Sequence, residues 1–380
     1  MPNNEIIYFD NASTTRVNSR VLELYNEIHT SYFANPSSIH KEGQRAFYKF
    51  NRSKEELLNL LKIPNSEVIY LSGATEANNL AIKGAALRYK NRGNHIITSS
   101  FEHPSVLEAF KQLHDQFGFE VTYINPDDNG IITAEAVKEA LTDKTILVSV
   151  MAVNNEIGSI NEIEEIASLL EGYPKVIFHT DACQALGKIH FDYSKVDLVT
   201  LSAHKIHGLV GFGALIKKKK IDLLPLNSGG GQENNFRSGT ENLAGAIAFV
   251  EAVKIILDSE KENYKVVSSL SIPLIDYLKS HHNLFELNLP NEVNPYIINF
   301  SSITKKGSVV VEALSNMNIM VSSTSACHSS KQKGSYVVAS LGKNEKVSMN
   351  TIRVSLDASN TLEEMNYFIS CLDKIIGEIK

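Results

Sequence analysis

Val176-Ile-Phe-His-Thr-Asp181 and Val196-Asp-Leu-Val-Thr-Leu-Ser-Ala-His-Lys205 are two short apolar runs that each end in a charged residue. Runs of the same kind recur upstream: Val68-Ile-Tyr-Leu71, His95-Ile-Ile-Thr98, Val121-Thr-Tyr-Ile124 and Ile146 to Val150. Helical patterns separate them, so the stretch from about residue 66 to 216 predicts an α/β fold, a largely parallel sheet with helices on both faces. Ligands of such sheets bind beyond the carboxyl ends of the strands, which makes the residues just after each run the candidates for function. Ahead of the sheet, Ile39 to Leu61 carries Ala46, Phe50, Leu57 and Leu61 at helical spacing and predicts a long helix packed on it.

Composition shifts after about residue 255, where the charged segment Ser259-Glu-Lys-Glu-Asn263 leads into a second set of elements. Ile297 to Phe300, Val309 to Met317, Ile352 to Val354 and a last helix predict a smaller α+β unit. That helix opens with Thr361-Leu-Glu-Glu364, a capping box, and places Met365, Ile369, Leu372 and Ile376 on one face. Cys371 within it reads as a small core residue.

With 380 residues, 43% of them hydrophobic and 21% charged, the chain can bury two cores and is not disordered. A net charge of -6 offers no basic field for a polyanion, so direct nucleic-acid binding is not expected. The one basic run, Lys217 to Lys220, reads as a solvated strand end. Three cysteines without CxxC spacing argue against a disulfide framework and against a cysteine-based zinc site; no metal is expected. The start lacks a basic stretch followed by an apolar run, and no apolar stretch reaches membrane-spanning length. The expectation is a cytoplasmic protein.

Leu71-Ser-Gly-Ala-Thr-Glu76 places small residues between a strand and an Ala-rich helix. Such a turn offers free N–H groups and the Thr75 hydroxyl to a phosphate, and it equally describes a capped helix start. Lys205 at a buried strand end has the setting for Schiff-base chemistry, and Asp181 could partner a pyridinium nitrogen; a structural Asp181–Lys205 ion pair is the alternative. His103 and Asn155 also fall just past strand ends, where capping roles are equally open. Gly229-Gly-Gly-Gln-Glu233 and Arg237-Ser-Gly-Thr240 form a polar, glycine-rich stretch that reads as a loop, a phosphate contact or a subunit contact. Cys327 sits among small polar residues, Ser322 to Ser330, beside His328 and Lys331, which favours a nucleophile or sulfur carrier. Arg353 in Thr351-Ile-Arg-Val-Ser-Leu356 suits capture of a carboxylate, or else a salt bridge.

Taken in order, Tyr8 to Thr15, Asn35 to His40, Ser72 to Glu76, Glu102-His103, Asn154 to Gly158, Asp181 to Gln184, Ser202 to Lys205, Gly229 to Glu233, Arg237 to Thr240, Ser325 to Cys327 and Ile352 to Ser355 resemble the cysteine desulfurases of the iron–sulfur-cluster and nitrogen-fixation type. These are fold-type-I pyridoxal-phosphate enzymes of the class V aminotransferase group. The resemblance implies a homodimer with a large cofactor-binding domain over 16–255 and a small domain formed by 1–15 and 256–380. It implies that Lys205 holds pyridoxal 5'-phosphate as a Schiff base, Asp181 pairs with the pyridine nitrogen, Gln184 bonds the phenolic oxygen, and His103 stacks on the ring and serves acid–base steps. Ala74, Thr75, Ser202 and His204 would hold the phosphate with Thr240 of the other subunit. Asn155 and Arg353 would orient the carboxylate of L-cysteine, and Cys327 would take its sulfur as a persulfide.

Several positions depart from the family pattern: Arg16, Leu209-Val210, Asn234-Asn235 and Gly334-Ser-Tyr336. None carries an implied chemical role. The expected partner is a protein sulfur acceptor, either a cluster scaffold or a tRNA-thiolating enzyme. Competing readings are an aminotransferase or C–S lyase with an incidental Cys327, and a noncatalytic sulfur-relay protein.

Overall fold

The computed structural model describes residues 6–289, 294–323 and 334–378. Cys327, His328 and Lys331 lie outside the described residues. The chain opens with a two-residue strand, β1 (Ile7–Tyr8), and the helices α1 (Ser19–Ser31) and α2 (Lys41–Leu60). Helix α2 buries Ala46, Phe50 and Leu57, the stripe expected of it. Strands and helices then alternate: β2 (Ser66–Leu71), α3 (Ala74–Tyr89), β3 (His95–Ser99), α4 (Pro104–Phe117), β4 (Glu120–Ile124), α5 (Ala134–Ala140), β5 (Thr145–Ser149), α6 (Ile163–Leu170), β6 (Ile177–Asp181), β7 (Leu198–Ser202) and β8 (Gly213–Lys218).

These strands form one sheet in the order β2-β8-β7-β6-β5-β3-β4. From β7 to β4 every pair is parallel, and β5, β6 and β7 are buried along their whole length by helices on both faces. Strand β8 runs antiparallel to β7 and β2. The loop from β7 to β8 is too short for a helical crossover, so the chain must turn back on itself. The basic run at the end of β8 is not uniformly solvated. Lys217 is 1% exposed, pairs with Glu67 directly opposite on β2, and donates to the Ile221 carbonyl at 2.6 Å. Strand alternation turns Lys217 inward, where a carboxylate meets it.

Helix α7 (Leu243–Ser280) runs unbroken for 38 residues. Its first half, from Leu243 to Ile256, packs into the core beneath the large sheet; its second half gives Val267, Leu270, Leu274 and Leu278 to a separate core. The charged Ser259 to Asn263 segment therefore sits on the middle turns of a helix that serves both cores, not in a linker. The second core is built on β9 (Phe285–Leu287), β10 (Ile297–Ser302), α8 (Gly307–Asn316), β11 (Ile319–Met320), α9 (Tyr336–Ser340), α10 (Glu345–Met349), β12 (Thr351–Ser355) and α11 (Leu362–Glu378). Strands β12-β10-β9 form an antiparallel sheet, and β1 returns from the start of the chain to pair in parallel with β11.

The capping box of α11 forms: the Thr361 N–H donates to Glu364 Oε2 at 2.9 Å, and the Glu364 N–H donates to Thr361 Oγ1 at 3.2 Å. Its buried face centres on Met365, Phe368, Leu372 and Ile375, with Cys371 in the core, while Ile369 and Ile376 are only half-buried. Phe368 has the largest apolar surface on the helix and turns that face towards itself, which the aliphatic spacing alone does not reveal. Among the described residues, no helix is long and apolar enough to cross a membrane.

Candidate active site at the carboxyl ends of the strands

A cleft of about 530 Å³ opens where the parallel strands end. The turns after β2, β3, β5, β6 and β7 bring to it Ala74 and Thr75, His103, Asn155, Asp181 with Gln184, and His204 with Lys205. The second core closes its far side with Arg353 and Ser322, and the amino-terminal segment adds Ala12 and Ser13. Of the positions singled out in the sequence, Ser202 ends β7 as a buried residue, and Thr240 lies exposed and away from the cleft lining.

Lys205 follows β7 on a single tight turn, Ala203–Lys205. Its Nζ donates to the carbonyls of Ala12 and Ser13, each at 2.6 Å. Burial, with the Arg353 charge adding to it, brings the amine down to about 8. Lys205 and Asp181 form no ion pair. Asp181 instead accepts the Asn78 amide at 2.7 Å and the Cys183 N–H at 3.0 Å.

Asn78 and Ser105 escaped the sequence reading, yet they connect the acid to the histidine. Asn78, fully buried on α3, donates from Nδ2 to both Asp181 and Ser105 Oγ, the latter at 2.9 Å. Ser105 Oγ lies 2.8 Å from His103 Nδ1, and the Ser105 N–H donates to that same nitrogen at 3.1 Å. Because a backbone N–H can only donate, Nδ1 carries the lone pair and the neutral ring bears its proton on Nε2. Burial pushes His103 below its ordinary value, against the pull of Asp181. The only trace of this network in the sequence is a polar pair, Asn78-Asn79, in an otherwise Ala-rich helix start.

Arg353 is 6% exposed and holds the two halves of the molecule together at the cleft. Its guanidinium donates to the Asn155 carbonyl at 2.8 Å, Ser13 Oγ at 2.6 Å and Asp10 Oδ1 at 2.9 Å. The salt bridge foreseen as an alternative is therefore real, but its partner is in the amino-terminal loop, and among the described residues Nε has no acceptor. Gln184 donates from Nε2 to the Ala12 carbonyl at 2.9 Å.

The residues fit an anionic cofactor with a phosphate. Gly73, at φ +150°, starts α3 with no side-chain cap, so the first N–H groups of that helix point at the cleft. The nearest carboxylate, Glu76, is committed elsewhere. Although burial alone would raise it, the Ser72 N–H at 2.7 Å and Arg237 at 3.0 Å hold it below the usual range. Among the described residues Ser202 Oγ is buried without a hydrogen-bond partner, a hydroxyl open to a phosphate oxygen, and Asn155 Oδ1 is an acceptor likewise without a partner. His204, held to about 4 first by burial and then by Lys205, is neutral beside them.

Comparison with known proteins agrees with this arrangement. The family model for class-V aminotransferases matches residues 7–368. A "NifS/IcsS protein homolog" of Lactobacillus delbrueckii subsp. bulgaricus is 40% identical over 374 residues, covering 97% of each chain. "Cysteine desulfurase IscS" of Clostridium botulinum is 37% identical over 380 residues, covering 99% of this chain and 95% of that one. A solved "NifS-like protein" superposes with a TM-score of 0.91 at 33% identity, covering 99% of this chain and 100% of its own. A family match of this extent, with relatives this similar over nearly their whole length, places the chain in the class-V aminotransferases, and within them it belongs to the cysteine desulfurases.

Proposed function

We propose that the cleft holds pyridoxal 5'-phosphate and that its residues convert L-cysteine to L-alanine, passing the sulfur to Cys327. The observation that carries this is the Lys205 amine, buried between Asp181 and Arg353 and brought to about 8, where it exchanges protons near neutral pH. Ala74, Thr75, Ser202 and His204 would hold the phosphate with Thr240 of a second copy, Asp181 the pyridine nitrogen and Gln184 the phenolic oxygen. The bound cofactor supplies the electron sink that lets bonds at Cα and Cβ of the substrate break.

The chain does the rest. Arg353 Nε and the Asn155 amide take the substrate carboxylate, which fixes the Cα–H bond towards Lys205. Lys205 Nζ, once free, removes that proton. His103 acts through Nε2, the nitrogen that its Ser105 contact leaves facing outward from the cap. Cys327 thiolate then attacks the substrate sulfur: the S–S bond forms, the C–S bond breaks, and the carbon keeps the electron pair and is protonated to the methyl group of alanine. Cysteine plus enzyme thiol gives alanine plus enzyme persulfide, with no external oxidant or reductant.

Both flanks of the Cys327 segment support this role. Ser322 lines the cleft and exchanges backbone hydrogen bonds with Arg353 at 3.1 and 2.8 Å. Five residues further on, Cys327 is within roughly 17 Å of extended chain from that point. On the other flank, Ser335 donates to Glu156 at 2.5 Å and Tyr336 to the Glu102 carbonyl at 2.6 Å, next to Asn155 and His103. The large unit, 16–255, would carry the cofactor, and 1–15 with 256–380 the cysteine. The working form would be a cytoplasmic homodimer that passes sulfur to a cluster scaffold or a tRNA-thiolating enzyme.

Cys327→Ser tests the reading. The variant should bind the cofactor and change its absorption on adding L-cysteine, yet release alanine only at background rate, because a serine hydroxyl is un-ionised and a poor sulfur acceptor. Wild-type alanine output from this variant would return the protein to a lyase or aminotransferase.

A further inference from the structure

Four residues beyond Gln184, the turn after β6 buries a second lysine. Gly187 takes φ +70° against Ile256, where a Cβ would fall 2.3 Å from Ile256 Cγ1, so only glycine permits this turn. Lys188, which follows, is 7% exposed, and its Nζ donates to Gln184 Oε1 at 2.9 Å. Among the described residues it has no ion pair; its other neighbour is the Tyr296 ring, 6.0 Å away. Burial, with Lys205 adding to it, brings its ammonium down to about 8. The Asp357 carboxylate attracts it only from beyond ion-pair distance while Arg353 repels it, so the buried cation is costly, and no step described above uses it.

An ammonium has donors only, so it dictates which way the Gln184 amide faces. Oε1 must turn to Lys188, and Nε2 then faces the Ala12 carbonyl, the same oxygen that receives Lys205 at 2.6 Å. One hydrogen of that NH2 is spent on Ala12. The second is left for a ligand oxygen in the cleft that Gln184 lines. We propose that Lys188 is a positioning residue: seated behind Gln184, it locks the amide with its donor towards the cleft, so that an anionic oxygen there meets an N–H backed by positive charge. The inference rests on the cleft being the cofactor site, and the anionic oxygen is then the phenolic one.

The test is the pH titration of the visible band of the loaded enzyme. Lys188→Met removes the charge and the lock while keeping the chain's shape, and should raise the midpoint by about one pH unit, because the acidic form loses a repelling cation and the oxygen loses a donor. Lys188→Arg should stay near the wild-type midpoint. Lys188→Gln, uncharged but polar, should shift the same way as Lys188→Met and serves if that variant does not fold. In a Gln184→Ala background Lys188→Met should shift the midpoint by clearly less than it does alone, since the part of its effect that passes through the amide is already gone. Additive shifts, or a wild-type midpoint in both uncharged variants, overturn the proposal. Apoprotein titrated with pyridoxal phosphate gives a second reading: Lys188→Met should bind it more weakly and Lys188→Arg as wild type does. If Lys205→Ala keeps the visible band, the site reading itself has failed; if that band is lost while Lys188→Met titrates normally, only this inference has.

Discussion

At the amino ends of the large sheet, polar side chains have found one another. His95 meets Thr145 at 2.7 Å through Nδ1 and Thr122 at 2.9 Å through Nε2; Asp197 accepts the Phe178 N–H at 3.1 Å and pairs with Lys220 at 3.2 Å; Lys217 pairs with Glu67. At the carboxyl ends the equivalent groups are left wanting. Among the described residues Ser202 Oγ, Asn155 Oδ1, Glu102 Oε2 and Arg353 Nε have no partner, and Lys205 has carbonyls where a carboxylate would suit it better. One end of the sheet is closed by its own hydrogen bonds and ion pairs, while the other leaves buried polar groups open.

Three substitutions press on that contrast. Lys205→Ala should abolish the visible band of the enzyme and lower turnover by about 10³-fold or more, while the apoprotein melts no lower than wild type, since it no longer buries a cation. A clear loss of apoprotein stability would break the comparison. His95→Ala should do the reverse. It opens a cavity and takes the ring's hydrogen bonds from Thr122 and Thr145, costing about 2–4 kcal/mol in denaturant unfolding, with activity per folded molecule unchanged.

The smallest effect is at Glu102, whose fully buried carboxyl is raised to about 8 by burial, despite hydrogen bonds from Ser99 and Met151. The folded state keeps a proton that the unfolded chain releases near 4.5, so stability is whole in acid and falls as pH rises towards 8. Glu102→Gln cannot ionise. Between about pH 6 and about pH 7.5 it should lose about 1–2 kcal/mol less stability than wild type.

Much of this was legible in the chain. Apolar runs ending in Asp181 and Lys205 announced a parallel sheet and its functional edge, because burial on both faces leaves a strand nothing to alternate with. What the sequence hid were polar residues that strand and turn geometry carry inward. Lys217 looks like part of a solvated run until its partner Glu67, 150 positions away, is seen opposite it. Asn78 meets Asp181 and Ser105 from distant parts of the chain, and Lys188, though four residues from Gln184, follows no pattern that marks it as buried. The boundary near residue 255 was read from composition, and the chain crosses it inside one long helix, α7, whose two halves serve different cores.

The path of the amino-terminal segment sets an order of assembly. The carbonyls that receive Lys205 belong to Ala12 and Ser13, and that segment is held by β1 on β11 and by the Ala12 N–H on Ser355 Oγ at 2.9 Å. During synthesis the large sheet is complete once residue 218 has emerged, but the wall that desolvates its lysine waits for residues 319 to 355. The amino-terminal segment is tied to the large unit as well, by Gln184 to the Ala12 carbonyl and Thr15 to the His204 carbonyl, and the later residues complete the burial of Lys205. The lowered proton affinity of the Lys205 amine is thus the joint work of both ends of the chain, complete only when β1 has met β11.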